Sequence, residues 1–362
     1  MIANALPRPL TAGSVDNAIL RADGTGGTVL QNSDIVIDDA STTTQANVAI
    51  TNQHSGQTNS SLVLTPKGTG ALIAGARPAG TASTGNARGN SAVDLQLSRS
   101  AATQVASGAN SFVAGLDCTA SGTQSVALGY QAVASGSVSF AAGNGTASGS
   151  FSVGLGNGTA SGTNSGVIAG SGGRALNQNS ITLGGSSNTA NATNAVCMGD
   201  DTWVTGTSSV TIGQKALADR LRMFAHASGQ FAAYGDAQRA RFVMRNKTTT
   251  NSAVELFLDG SSIRLAIPSN KVLALTINIA GISSTGGAVA HYMRQYALKN
   301  VAGTTSEVYA PITIGTDNAA GTAIAISASD ASDALVVSVT GTASTIWRWV
   351  ASVDAVEITY GT

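Results

Sequence analysis

The sequence predicts an all-β, elongated protein with a β-solenoid shaft and a C-terminal antiparallel β-domain. Three observations predict this class. Glycine contributes 43 of the 362 residues and proline only 6, charged residues make up 10% of the chain, and a short motif recurs at a nearly fixed interval. Ordinary soluble domains carry about 25% charged residues. A chain rich in small and apolar residues, with no net charge, favours stacked β-structure over disorder.

The composition also bears on partners and on shape. The formal net charge is zero, so the charge of the whole chain suggests neither a nucleic acid nor an anionic membrane as a partner. The aromatic residues, 3 Trp, 6 Tyr and 7 Phe, are few for a large globular core. The composition therefore predicts an elongated molecule with a thin core.

The recurring motif begins with Ala-Ser-Gly and continues in degenerate form toward the C-terminus. Its copies open at Ala106, Ala120, Ala134, Ala147, Ala160, Ala175, Ala190 and Val204. A short and nearly constant period over residues 106–217 is the signature of a solenoid. Coils of about 14 residues that advance by about 4.8 Å each would give a shaft of roughly 40 Å.

Most copies contain one short alternating strand that ends in glycine. Val126 and Leu128 lie two residues apart and Gly129 follows, a pattern repeated at Val153 and Leu155, Ile181 and Leu183, Val196 and Met198, and Val210 and Ile212. This spacing puts both side chains on one strand face, which we expect to point inward, and glycine permits the corner. Because one coil is too short to wrap a core, an apolar stripe would remain exposed. A homotrimer that pairs three stripes around an axis is the prediction.

The unit ASGTQSVALGYQAV, residues 120–133, resembles the head repeats of trimeric autotransporter adhesins, and similar repeats occur in bacteriophage tail fibres. Residues 85–108, 224–246 and 255–281 also resemble stretches of tail-fibre proteins, so the resemblance covers about residues 60–362. It implies left-handed parallel β-rolls assembled as a trimer. It also implies a structural virion protein, a tail fibre that mediates host-cell attachment through a multivalent distal domain.

The pattern along the chain predicts five regions. These are a virion attachment region (1–60), a β-hairpin and lead-in (61–105), the repeat shaft (106–217), a neck (218–251) and a β-sandwich-like tip domain (252–362).

Two local elements are expected at the borders of the shaft. Residues 60–75 are a hairpin candidate, because Leu62 and Leu64 alternate before a turn that precedes Ala71 to Ile73. Residues 214–224, QKALADRLRMF, predict a short helix with Leu217, Leu221 and Phe224 on one side.

The N-terminal sequence lacks the basic start and apolar core of a secretory signal. No run approaches the roughly 18 apolar residues that span a bilayer. We therefore expect a soluble protein of the virion tail. A bacterial trimeric adhesin, which would carry a signal and a membrane anchor, stays open as an alternative, as does a fibre attached to the capsid. Cys118 and Cys197 are expected to be buried free thiols.

The sequence shows no convergent set of reactive groups. Three histidines, His54, His226 and His291, are scattered over different regions, and no zinc spacing or nucleophile motif occurs. Asp200 and Asp201 lie near Trp203, which suggests a sugar site with an aromatic floor. Adjacent carboxylates on a strand point to opposite faces, however, and a glycosidase needs two at a defined separation. The prediction is a protein that is not an enzyme and holds no cofactor or metal. A polysaccharide-degrading tailspike is the enzymatic alternative.

Receptor-binding residues are expected in the last hundred residues. Tyr292, Arg294 and Tyr296 alternate and would share one strand face, and Trp347 shares a face with Trp349. Aromatic and arginine side chains suit saccharide or protein recognition, so Tyr292, Arg294, Tyr296 and Trp347 are the predicted binding residues; packing in the core or the trimer is the alternative. The expected partners are two further copies of the chain, tail or baseplate proteins at residues 1–60, and a host glycan or protein, with no nucleic acid and no membrane insertion.

Overall fold

A computed structural model gives the structure of the chain. It describes residues 64, 66–168, 170–285 and 287–360, and also the backbone of three strands within residues 18–52. The chain forms two compact units, Met1–Lys67 and Gly68–Thr362. Most of the predicted attachment region, 1–60, lies outside the described residues.

The first unit contains a three-stranded antiparallel sheet in the order β1-β2-β3. Its strands are β1 (Ala18–Asp23), β2 (Val29–Asp39) and β3 (Val48–Asn52). In the register of β2 and β3, Ile37 lies opposite Ile50.

The second unit begins with a parallel β-solenoid of about eight turns. Its strands are β4 (Leu72–Ile73), β5 (Val93–Leu95), β6 (Phe112–Leu116), β7 (Thr119–Ala120), β8 (Val126–Tyr130), β9 (Val133–Ala134), β10 (Phe140–Gly143), β11 (Thr146–Ala147), β12 (Val153–Ala160), β13 (Gly166–Ile168), β14 (Ser171–Ala175), β15 (Ile181–Leu183), β16 (Thr189–Ala190), β17 (Val196–Asp200), β18 (Trp203–Val204), β19 (Val210–Gln214), β20 (Leu217–Ala218) and β21 (Phe224–Ser228). The prediction of an all-β chain with a β-solenoid is confirmed.

The solenoid has two walls, and each strand pairs in parallel with the strand one coil away. One wall contains β8, β10, β15, β17 and β19, and the other contains β9, β11, β16, β18 and β20, while β12 is long enough to enter both. Thus Val126 lies opposite Phe140, and Val196 lies opposite Val210. Residues that are one coil apart in sequence are therefore direct neighbours on the surface.

The interior of the solenoid is narrow and holds small side chains. Ala127, Ala141 and Cys197 are fully buried between the walls, whereas Val126 and Leu128 on either side of Ala127 are only half-buried. The prediction that the Val and Leu pair points inward is therefore wrong. Alternation along a strand sends neighbours to opposite faces, and only the small residue fits the narrow space between the walls. Both cysteines are buried and unpaired, as expected.

Close contact between coils explains why the motif contains glycine. A Cβ atom on Gly122 would lie 1.9 Å from the carbonyl oxygen of Gly136, one coil away, which is far inside van der Waals contact. At the following corner Gly129 has a φ of +103°, a left-handed conformation that side chains with a Cβ rarely adopt. Gly122 is required because no side chain fits between the coils, and Gly129 is required because of its backbone conformation.

The C-terminal body is antiparallel. Its strands are β22 (Ala237–Thr248), β23 (Ala253–Glu255), β24 (Leu265–Ala266), β25 (Lys271–Ser283), β26 (Val289–Val301), β27 (Thr304–Thr313), β28 (Ala323–Ser329), β29 (Ala334–Thr340) and β30 (Trp347–Thr359). One sheet runs β22-β30-β25-β26-β27 and is joined to the solenoid through β21, while β29 pairs with β23, β24 and β28 in a second sheet. Side chains of both sheets form one core.

The predicted helix at 214–224 is wrong. These residues continue the coil as the end of β19, all of β20 and the start of β21. Phe224 pairs with Val210, and Leu217 pairs with Trp203. Strand pairing at the coil interval therefore overrides the helical spacing of the apolar residues. No helix occurs among the residues that the structure describes, and accordingly none of them forms a helix long and apolar enough to span a membrane.

The predicted hairpin at 60–75 falls partly outside the described residues. Its second arm, β4, pairs in parallel with β5, with Leu72 opposite Val93. This arm therefore belongs to the solenoid.

A buried ion cluster joins the last coil to the C-terminal body. The Glu357 carboxylate is fully buried and accepts hydrogen bonds from Arg220 at 2.6 and 2.7 Å and from Gln238 at 2.9 Å. The Lys271 ammonium lies 3.3 Å away. Burial alone would lower the pKa of Arg220, but the carboxylates of Glu357 and Asp219 together outweigh it, so the pKa lies above its usual value. The cluster fixes the solenoid to β30 and β25.

Candidate functional site

A groove lies beside the last coils of the solenoid, where the loop before β22 folds back. Its volume is about 490 Å³, and it is lined by Arg174, Leu176, Ser187, Thr189, Asn191, Asp201, Thr202, Trp203 and Tyr234. Small-ligand sites in proteins commonly have volumes of about 300–1,000 Å³. The groove is therefore large enough for part of an extended ligand.

Two aromatic side chains form an exposed edge of this groove. Trp203 is 41% exposed, because it alternates with the buried Val204 in β18 and points away from the interior. Tyr234 meets it edge to face, with ring centroids 5.8 Å apart and an interplanar angle of 81°. The pair offers a ligand an apolar ring surface and a polar hydroxyl.

The loop that carries Tyr234 is held by a carboxylate. Asp236 accepts hydrogen bonds from the backbone N–H groups of Phe231, Ala232 and Ala233. Burial would raise the pKa of Asp236, but these N–H donors lower it below its usual value. Next to Tyr234, Gly235 has a φ of +69°, and a Cβ there would lie 2.7 Å from Leu217. The hydrogen bonds of Asp236 and the backbone conformation of Gly235 thus fix the position of Tyr234.

The Asp201 carboxylate is the electrostatic centre of the groove. It accepts hydrogen bonds from the Tyr234 hydroxyl and from the Lys215 ammonium. Burial acts to raise the pKa of Asp201, yet these two donors lower it overall. The same bonds raise the pKa of Lys215 and of Tyr234. At neutral pH the carboxylate is therefore ionised while the lysine and the tyrosine keep their protons.

The neighbouring Asp200 faces other partners. Its carboxylate accepts hydrogen bonds from the hydroxyl and backbone N–H of Ser186, and lies 3.3 Å from the Gln214 amide. The Ser186 donors lower its pKa. Asp201 follows the end of β17 with a φ of +53°. Different partners for the two side chains agree with the expectation that adjacent carboxylates diverge.

Amide and cationic side chains complete the polar wall. Asn177 donates to Asn191 one coil away at 2.9 Å, and both lie next to the groove wall formed by Arg174 and Thr189. The Arg174 side chain is exposed. The groove thus combines an aromatic surface with donors and acceptors of both charges, a composition that suits a ligand with many hydroxyl groups.

Comparison with known proteins gives no family assignment. No protein-family model matches the chain, and no curated protein matches its sequence. Among solved structures, the chain is similar to the tailspike protein gp49 from Acinetobacter baumannii bacteriophage Fri1, a capsular polysaccharide depolymerase, at 10% sequence identity and a TM-score of 0.25. The similarity covers 76% of this chain and 48% of the tailspike, so the chain spans about half the length of that protein.

One prediction is corrected by this comparison. The sequence analysis predicts a protein that is not an enzyme, whereas the similar tailspike is a polysaccharide depolymerase. This finding contradicts the prediction of a non-enzymatic protein, which is not carried further.

The predicted receptor-binding residues lie in the C-terminal body. Tyr292, Arg294 and Tyr296 do share one face of β26, but this face turns toward the core. Tyr292 is 3% exposed and its hydroxyl lies 2.7 Å from that of Thr322, and Tyr296 is fully buried. Burial raises the pKa of Tyr296. The two tyrosines pack inside this body.

The other two predicted residues are also engaged within the chain. Arg294 donates two hydrogen bonds to the Asp317 carboxylate, both 2.7 Å long. Trp347 is 1% exposed and stacks on Trp349, with ring centroids 5.4 Å apart. This arrangement corresponds to the packing alternative, and a receptor-binding role for these residues stays a prediction.

The sequence pattern indicates Asp200, Asp201 and Trp203 of this groove but not Lys215 or Tyr234. A signal for Lys215 was present, because it follows Asp201 by one coil interval. Tyr234 lies beyond the repeat, and only the fold of its loop brings it to Trp203.

Proposed function

We propose that this protein is a bacteriophage tail protein that binds a surface polysaccharide of the host in the Trp203–Tyr234 groove. The observation that carries the proposal is the pair of exposed Trp203 and half-buried Tyr234 next to the Asp201 carboxylate, which itself is bonded to Lys215. The proposal places the chain in the same broad class as a tailspike. Attachment to the virion through residues 1–60 is part of it.

The chemistry of the groove supports a saccharide. A sugar ring presents C–H groups on its faces, which pack on aromatic rings, and hydroxyl groups at its edge, which need donors and acceptors. Trp203 provides the ring surface, while Asp201 and Asn191 provide polar atoms beside it. Aromatic side chains contribute large contact areas and accept polar groups at their edges. The solenoid walls hold this arrangement on a rigid scaffold.

Cleavage of the bound polysaccharide is the second candidate function. The observation that favours it is the Tyr234 hydroxyl beside the Asp201 carboxylate in one groove, because general acid–base catalysis needs one proton donor and one proton acceptor. In hydrolysis, Tyr234 would give its proton to the leaving glycosidic oxygen. A carboxylate, Asp201 or Asp200, would accept the proton of the attacking water. The products are two shorter saccharides, one of which carries the new reducing end.

A homotrimer is the proposed assembly. On the outer side of one solenoid wall, half-buried apolar side chains form two rows, the first interrupted by Gly166 and the second by the small Ala142. The first row includes Val126, Phe140, Val153, Val196 and Val210, and the second includes Leu128, Leu155, Leu183, Met198 and Ile212. Exposed apolar surface of this length is rare in monomers. Three copies that pack these rows around one axis would cover them and would also triplicate the groove, which raises avidity.

The proposed binding is tested with purified host capsule or lipopolysaccharide and the full chain. We expect the Trp203→Ala variant to bind about thirtyfold more weakly, because it removes the central aromatic contact. Tyr130→Ala is the matched control, since Tyr130 is an exposed aromatic residue elsewhere on the solenoid. Equal binding by the two variants would reject the groove.

Two further readouts test the assembly and the chemistry. Light scattering should give a native mass near three times 35.8 kDa, and a monomer would reject the trimer. Incubation with the polysaccharide should release oligosaccharides with new reducing ends. Binding without any such release would reject cleavage and leave the binding proposal intact.

A further inference from the structure

A strongly basic stripe runs along the outer face of β22 and β30 in the C-terminal body. The outward positions of these strands hold five cationic side chains, Arg239, Arg241, Arg245, Lys247 and Arg348, and one carboxylate, Asp354. In a chain of zero net charge, this concentration of positive charge is a local property. It lies on a different part of the molecule from the groove-lining residues.

The strand register brings these cations together with Asp354 as the one carboxylate among them. Lys247 lies directly opposite Arg348, and Arg241 lies opposite Asp354. Like charges directly opposite each other on neighbouring strands destabilise a sheet. An anionic ligand bound at such a pair would remove the repulsion between the two cations.

The stripe ends in a small cavity at the junction with the solenoid. The cavity has a volume of about 130 Å³ and is lined by Phe224, His226, Arg239, Ala240 and Arg241. This space is large enough to admit a small charged group of a ligand. A carboxylate fits this size.

The arginines at the cavity keep donors for a ligand. Arg239 and Arg241 both contact the same Asp354 oxygen, at 3.0 and 3.1 Å, each with a single nitrogen. Their side chains are 61% and 54% exposed. A guanidinium has five N–H donors in a planar fork, so each arginine can still bind an incoming carboxylate. Asp354 neutralises only one of the two charges.

Apolar side chains between the cations indicate which kind of polyanion fits. Val243, Val350 and Val356 are about half exposed on the same face, and Phe224 borders the cavity. A polysaccharide presents the C–H faces of its rings as well as its acidic groups, so it matches both features. A second copy of this chain would bring an identical basic face, which like-charge repulsion disfavours.

We propose that this stripe binds the carboxylate groups of an acidic polysaccharide, with one carboxylate in the cavity between Arg239 and Arg241. The inference rests on the proposed function, since it names the class of polysaccharide, but it concerns a second site. From Arg239 to Lys247 the stripe extends for roughly 27 Å at about 3.4 Å per residue. It would therefore hold several sugar residues of one chain.

The test measures binding of the full chain to polygalacturonate, with neutral dextran, inorganic phosphate and duplex DNA as the comparison probes. We expect binding of polygalacturonate that weakens as salt is raised, and no binding of dextran at this site.

The double variant Arg239→Gln and Arg241→Gln should bind roughly tenfold more weakly, and Asp354→Asn should bind about twofold to fivefold more tightly, because it removes the competing charge. Arg77→Gln, an exposed arginine in the first coils, is the control and should have no effect.

Opposite shifts for the arginine and Asp354 variants would support the stripe. Equal affinity of all variants for polygalacturonate would overturn it, as would equally strong binding of phosphate alone or of DNA. A change of native mass in the arginine variant would also overturn it, since the face would then be a contact between copies. The Trp203→Ala variant separates the two proposals. If it did not weaken capsule binding, the groove would be rejected. The stripe is tested only by the arginine and Asp354 variants.

Discussion

Asp201 and Lys215 form a salt bridge across one coil of the solenoid, although fourteen positions separate them in the chain. The Tyr234 hydroxyl donates to the same carboxylate from a loop outside the repeat. The charged centre of the groove thus depends on both the coil interval and the loop.

We predict that the salt bridge gives the protein an acid-sensitive stability. The pKa of Asp201 is lowered in the folded state, so its contribution is fully present above the unfolded value of about 3.9 and is lost as the pH falls through the lowered folded value. Thermal unfolding curves between pH 7 and pH 2 should show a smaller acid-induced loss of melting temperature for Asp201→Asn than for the unchanged chain. Other carboxylates with lowered pKa values are present in both proteins, so their contributions to the pH dependence cancel in the comparison. Parallel curves for the two proteins would contradict the prediction.

Removing the Tyr234 hydroxyl should separate binding from cleavage. In Tyr234→Phe the ring remains against Trp203, so polysaccharide binding should persist. Loss of the proton donor should slow cleavage by about 10²- to 10⁴-fold. Initial rates of reducing-end release give the measurement, and Tyr130→Phe serves as the control. A Tyr234→Phe variant that cleaves at the normal rate would exclude the hydroxyl from the reaction.

The contact between coils at Gly122 should tolerate no side chain. Gly122→Ala would place a methyl group on the Gly136 carbonyl oxygen, and we expect a loss of about 3 kcal/mol or more in the free energy of unfolding. Gly287→Ala is the control, because a Cβ there meets no atom within 4 Å. Chemical denaturation of both variants measures the difference. Similar stabilities would mean that neighbouring coils can separate at little cost.

The buried ion cluster at the junction should be sensitive to loss of the Glu357 carboxylate. Glu357→Gln leaves Lys271 buried without the Glu357 charge and leaves Arg220 with only the more exposed Asp219 as its partner, which costs about 3–5 kcal/mol. Glu255→Gln, which breaks a pair with the partly exposed Arg264, should change the unfolding free energy little. Denaturation monitored by tryptophan fluorescence reports on this region, since Trp347 and Trp349 lie in the same body. Equal effects of the two substitutions would show that burial does not strengthen the Glu357 pairs.

The sequence allowed the β-solenoid to be predicted, because a constant interval places equivalent residues side by side. It did not reveal that Ala127 fills the interior while Val126 and Leu128 face outward. Which side chains face inward depends on the distance between the two walls, and no local sequence pattern specifies that distance. The helical spacing of Leu217 and Phe224 was misleading, since pairing with the preceding coil decides their conformation.

The groove could be predicted only in part, for a related reason. Asp201 and Trp203 are close in sequence, so their proximity is local. Tyr234 reaches them through a loop whose shape depends on Asp236 and Gly235. The basic stripe is hidden from a whole-chain charge count, because it arises from the alternation of Arg239 and Arg241 and from their pairing with β30.

The stacking of coils also determines how the shaft carries a load. Hydrogen bonds between parallel strands run along the stacking direction, so a pull on the C-terminal body stretches all coils in series. Where β12 meets β13, only two residue pairs connect the strands, and the register between β12 and β14 shifts nearby. β4 and β5 are also connected by only two residue pairs, so a single chain under tension would part first at one of these two sparsely paired steps. In the proposed homotrimer, neighbouring copies would share the force, and the assembly would then yield later than any one of its chains.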